Sequence, residues 1–111
     1  MDDEIKKNLF DILTCISSID EHLLGKRDYN FYVTNKTNRR VVERELEIIG
    51  EAISRVLKQK SDIQISYARL IIDLRNKVIH AYDAVNNDIV WKIIIKDLPV
   101  LKVEVETLLK N

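Results

Sequence analysis

One cysteine, one proline and two glycines in 111 residues leave this chain few devices for stapling or breaking a backbone. Cys15 cannot close an internal disulfide, so packing alone has to hold the fold, as suits a reducing compartment. Charge of one sign is also missing: 18 basic residues balance 18 acidic ones. That balance excludes the chain-wide positive field behind tight, non-specific nucleic-acid binding, so any RNA or DNA contact has to be local. No apolar run approaches membrane-span length, and the opening Met1-Asp2-Asp3-Glu4 lacks the apolar core of a signal peptide. The expectation is a soluble, cytoplasmic protein.

What is present is the vocabulary of long helices. Leu, Ile, Val, Lys and Glu dominate, and about a third of the residues are charged (32%). The chain length suits one domain, residues 1–111, near the small end of the range where joining a partner buries further surface. The expected fold class is all-α.

Hydrophobic spacing divides the chain into helices. Ile5, Leu9, Ile12, Ile16, Ile19 and Leu23 alternate at steps of four and three, which predicts a first helix over residues 3–24 closed by Gly25. Cys15 falls beside that stripe and reads as a small buried residue. His22, beside Glu21, reads as an exposed or capping side chain. Residues 25–35 have no clear period but hold three of the six Tyr and Phe residues, Tyr29, Phe31 and Tyr32. These rings suit stacking on bases or a partner, or else covering the end of the core as a short packed turn.

A second helix is predicted over residues 36–58, with Val42, Leu46, Ile49, Ile53 and Val56 on its stripe. Gly50 inside it suggests close approach of another helix. Arg40 and Arg44, and Glu47 and Glu51, are like-charge pairs one turn apart, which leads us to expect either a solvated face or a second chain or helix opposite. A third helix, capped by Ser61 or Ser66, carries Tyr67, Ile71, Leu74, Val78 and Ala81 and ends near Ala81. Asn87 is the expected cap of a fourth, with Trp91, Ile94, Leu98, Leu101, Val105 and Leu108 in register and a kink at Pro99. Short connections between four helices predict an antiparallel up-and-down bundle.

The chemistry concentrates at the end of the third helix, from Asp73 to Asp83. At about 100° per residue, Arg75 and Tyr82 share one stripe, and Asn76 and His80 share the next. Arginine offers a permanently charged fork for phosphate, and histidine titrates near neutrality with a pKa of about 6.5. RNA supplies its own nucleophile in the 2′-hydroxyl, so cleavage needs a base, an acid and charge stabilisation, without metal or cofactor. One histidine at this site is too few for two proton transfers, and a two-fold dimer would supply the second. Against this, Arg75 could simply pair with Asp73, Asp83 or Glu51, and His80 could interact with a helix dipole.

The run Arg75-Asn76-Lys77-Val78-Ile79-His80-Ala81-Tyr82 resembles the Arg-x4-His-x-Tyr signature of HepT-like toxins in the HEPN superfamily. Glu43 to Ala52 is similar to that family's second-helix segment. Val90-Trp91, followed by Leu98-Pro99-Val100-Leu101, resembles its last helix. The resemblance spans residues 38–109 and implies a HEPN-like four-helix bundle, a homodimer with a composite cleft, and metal-independent ribonuclease activity. In that activity Arg75 and His80 are catalytic and Asn76 supports them. It further implies the toxin of a type VII-like toxin–antitoxin pair, neutralised when an MntA-type nucleotidyltransferase transfers AMP to Tyr82. The chain departs from the pattern just before the arginine, where Asp73-Leu74 stand in place of a small residue. A non-catalytic module that presents Tyr82 to a nucleotidyltransferase, and a plain dimerisation bundle, are the competing readings.

Overall fold

A computed structural model describes residues 2–66, 68, 69, 71–73 and 86–110. Among them the secondary structure is helical throughout, with turns between helices and no strand. The helices are α1 (Asp3–His22), α2 (Tyr29–Thr34), α3 (Lys36–Gln59), α4 (Asn87–Lys92) and α5 (Leu98–Lys110). A π-helical turn, Ile93–Asp97, joins the last two. The protein is an all-α, HEPN-like bundle. No helix among the described residues is long and apolar enough to cross a membrane.

Helix α1 forms where the spacing requires. Asp2 accepts the Ile5 amide at 2.8 Å as its N-cap, and Asp3 and Glu4 complement the positive end of the dipole. All six residues of the expected stripe are buried. The helix stops at His22, two residues early, because Leu24 and Gly25 both adopt left-handed conformations with φ of 55° and 66°. There the chain folds back, and the Gly25 amide donates to the Asp20 carbonyl at 2.9 Å.

Helix α3 returns along α1, and α5 packs on α1 beside it. The α3 stripe (Val42, Leu46, Ile49, Ile53, Val56) is fully inaccessible, each residue at 0% exposure. Burying five such side chains contributes about 1.5–3 kcal/mol each. Gly50 is also buried. On the outer side of α3, Arg44 pairs with Glu47 at 3.4 Å, so part of the expected like-charge crowding is resolved within the helix.

Residues 25–35 include a short helix where a short packed turn over the end of the core is one expectation. Asp28 accepts the Phe31 amide at 3.2 Å and starts the six-residue helix α2, which is too short to display a helical stripe. Its aromatics serve packing. Tyr32 is completely buried, and its ring stacks on Trp91 with centroids 5.6 Å apart and an interplanar angle of 23°. Tyr29 meets Trp91 edge-on at 5.8 Å. Phe31 is half-buried under the Lys26 ammonium, 5.3 Å from the ring centroid. Arg39 donates from Nη1 to the Val33 carbonyl, tying α3 to α2.

The disturbance expected at Pro99 takes the form of the π-helical turn just before it. Proline has no N–H to donate, and in a regular α-helix its ring would clash with the Ile95 carbonyl. The backbone widens instead, and the Leu98 amide reaches back five residues to the Ile93 carbonyl. The cap of α4 is Asn86 rather than Asn87: its Oδ1 accepts the Asp88 and Ile89 amides at 2.9 and 3.2 Å.

Candidate functional site

Arg75, Asn76, His80 and Tyr82 lie outside the described residues, as do Tyr67, Leu74, Val78 and Ala81 of the expected third-helix stripe. What the structure shows is how the chain is held on either side of the motif. On the N-terminal side, the Ser66 amide donates to both carboxylate oxygens of Glu104 on α5, each at 3.1 Å. Residues 68, 69 and 71–73 are helical, and Ile71 is fully buried in the core. Asp73, one of the carboxylates considered as a partner for Arg75, lies 3.5 Å from Arg69 one turn earlier. That pair is largely exposed, so it adds little stability, but it already gives Asp73 a cation.

On the C-terminal side, Asn86 fixes the start of α4, and the Tyr29 hydroxyl donates to Asp88 at 2.6 Å. Trp91 then wedges against Tyr29 and Tyr32. The chain therefore leaves α3 and re-enters α4 through two tethered points, one on α5 and one on α2. The Tyr29–Asp88 bond raises the Tyr29 pKa above its usual value because the carboxylate favours the protonated phenol. Burial raises the Tyr32 pKa further, aided by Glu43 and opposed by Arg39. Glu43 is pushed up by its own desolvation, and Arg40 and Arg39 moderate that shift. Both phenols are thus neutral at physiological pH, with Tyr29 donating to Asp88 and the Tyr32 hydroxyl without a partner among the described residues.

Two further expectations concern residues with no assigned chemistry. His22 is exposed, and its Nδ1 donates to the Ser18 carbonyl at 2.8 Å, a local helix-end contact. Cys15 is buried at 5% exposure. The sequence reading missed Asp97, which is only 4% exposed and whose Oδ2 has no hydrogen-bond partner among the described residues. The signal was available, since Asp97 stands three residues after Ile94 and four before Leu101, beside the apolar stripe.

The described residues form a helical bundle, and the Arg-x4-His-x-Tyr run lies in the chain between α3 and α4. Comparison with known families narrows this: the sequence profile described as Ribonuclease HepT-like matches residues 12–108. The chain belongs to that family. A Methanocaldococcus jannaschii protein named, provisionally, as a ribonuclease is 36% identical over 107 residues, covering 93% of this chain and 94% of its own. A second from the same organism, named in the same way, is 32% identical over 112 residues, covering 97% of this chain and 93% of its own. A Thermococcus cleftensis protein named, with similar reserve, ribonuclease HepT is 34% identical over 106 residues, covering 95% and 96%. No solved structure matches the chain.

Proposed function

We propose that this protein is a metal-independent RNA endonuclease, the toxin of a type VII-like toxin–antitoxin pair, acting as a homodimer in the cytoplasm. The observation that carries this reading is the family match over residues 12–108, which includes the whole Arg75–Tyr82 motif. The names of the archaeal relatives agree with it.

In this mechanism His80 of one protomer takes the proton from a 2′-hydroxyl. The 2′-oxygen attacks the adjacent phosphorus and the bond from phosphorus to the 5′-oxygen breaks. A second His80, from the other protomer, donates the proton that the departing 5′-oxygen needs. The products are a 2′,3′-cyclic phosphate and a 5′-hydroxyl. Arg75 stabilises charge on the phosphorane through its planar fork, and Asn76 orients the histidine or the phosphate. AMP transferred to Tyr82 by a cognate MntA-type nucleotidyltransferase would place a bulky, negatively charged group at the cleft that must admit RNA phosphate. Occlusion and repulsion then act together.

The test is RNA cleavage by the purified protein in a chelator. Native protein is expected to cleave, and Arg75→Ala and His80→Ala are expected each to lose at least about 100-fold in rate with the helical circular-dichroism spectrum unchanged. Retention of cleavage in both variants would refute the assignment. Intact RNA with the native protein would favour the non-catalytic module instead.

A further inference from the structure

Between the end of α1, the turn after it and the π-helical stretch lies a cleft of about 320 Å³ that the motif chemistry does not use. Its floor is apolar, formed by Leu23, Ile94, Ile95 and Pro99. Its rim is cationic: Lys26 and Arg27 come from the turn, Lys102 comes from α5, and Asp20 is the only acidic residue in the lining. Among the described residues neither Arg27 nor Lys102 forms an ion pair.

The cleft is built by the backbone. Gly25, at φ +66°, has no atom within 4 Å of the position a Cβ would take, so the turn contributes open space where a side chain would project. The π-helical turn sets Ile94 and Ile95 on the opposite wall.

An apolar floor of this size with three cations in its lining suits a planar, weakly polar body carrying an anionic group. We propose that the cleft is a nucleotidyl subsite, with the base over Leu23, Ile94 and Pro99 and a phosphate held by Arg27, Lys102 and Lys26. Its chemistry fits a nucleotide of an RNA strand flanking the scissile bond or a free mononucleotide. In the first form the proposal rests on RNA being the substrate. In a neutral chain this is the kind of local cationic site that strand binding requires.

The experiment measures anisotropy of a labelled single-stranded RNA bound to full-length His80→Ala protein, in chelator, so that cleavage does not enter. Arg27→Glu and Lys102→Glu, both surface changes, are expected to weaken binding together by about tenfold or more. Ile95→Trp, which narrows the cleft from its floor without altering charge, is expected to weaken it as well. If AMP competes with the RNA and the same substitutions abolish that competition, the cleft takes a free nucleotide as well as the strand and the subsite stands. If AMP does not compete while the substitutions still weaken RNA binding, the occupant is the flanking strand. RNA binding unchanged in all three variants, without AMP competition, overturns the proposal. Ribonuclease failure is distinguishable: a native chain that cleaves nothing, yet binds RNA through Arg27 and Lys102, keeps the subsite and loses the enzyme.

Discussion

Burial turns Cys15 into an inert core side chain. Desolvation is the main cause raising its pKa from 9.0 to about 12, followed by the hydrogen bond and charge of Glu45 on α3. An unfolded thiol titrates at about 8.5, so the folded state holds the proton more tightly. The resulting stability is fully present below pH 8.5 or so and is lost as pH rises toward the folded value of about 12. Native protein at pH 8 is therefore expected to resist alkylation by iodoacetamide until urea unfolds it. Between about pH 9 and 11 its unfolding free energy should fall faster than that of Cys15→Ala, by at most about 1.4 kcal/mol per pH unit. Rapid labelling of folded protein would contradict this burial. The sequence revealed Cys15 through its place beside the stripe, but it did not reveal Tyr32 as a fully buried anchor, because that residue's neighbour Trp91 is 59 positions away. Tyr32 and Asp97 both keep a buried oxygen without a partner among the described residues, at a cost of about 1–3 kcal/mol for each such group.

Helix ends were less legible than helix faces, and the reasons are local. The stripes predicted for α1 and α3 are buried throughout, and the stripe of the expected fourth helix, which the structure divides into α4, the π turn and α5, is buried at Ile94, Leu98, Leu101 and Val105 and partly buried at Trp91 and Leu108. The short α2 has only six residues, less than two turns, so no period could announce it. Pro99 announced a disturbance but not its form, since a kink and a π-helical turn both remove the clash with a preceding carbonyl. Between Asn86 and Asn87 the sequence offers two residues of identical capping chemistry, and only the backbone chooses Asn86. The single cap matters because α4 has just six residues before the π turn. Asn86→Ala removes the acceptor for two amides and is expected to cost about 1 kcal/mol. Asn86→Asp should restore most of it, since a carboxylate accepts the same bonds and suits the dipole. Urea unfolding of the three proteins checks this; an alanine variant as stable as the native protein would show that Asn86 does not cap α4 in solution.

At the scale of the whole molecule, the motif was legible as residue types at a spacing. The homodimer of the proposed function adds a second chain, and an interface leaves no period in one sequence. Charge gives a sharper handle. With 18 basic and 18 acidic residues the chain has no net field, so its affinity for RNA has to come from the few cations that a strand touches. The two proposals put Arg27, Lys102 and Lys26 against one phosphate and Arg75 against another, about two phosphates per protomer and four per dimer. Each phosphate neutralised on a single strand contributes about 0.7 to the slope of log affinity against log salt. A dimer engaging one strand through both protomers is thus expected to show a slope of about −3, and one engaging it through a single protomer about −1.4. Titrating His80→Ala protein with single-stranded RNA across a range of potassium chloride measures the slope directly. A value far steeper than about −3 would require a wider basic surface than these residues provide. A slope near zero would mean that base stacking in the apolar cleft, rather than phosphate contact, holds the strand, in which case Ile95→Trp should weaken binding more than Arg27→Glu.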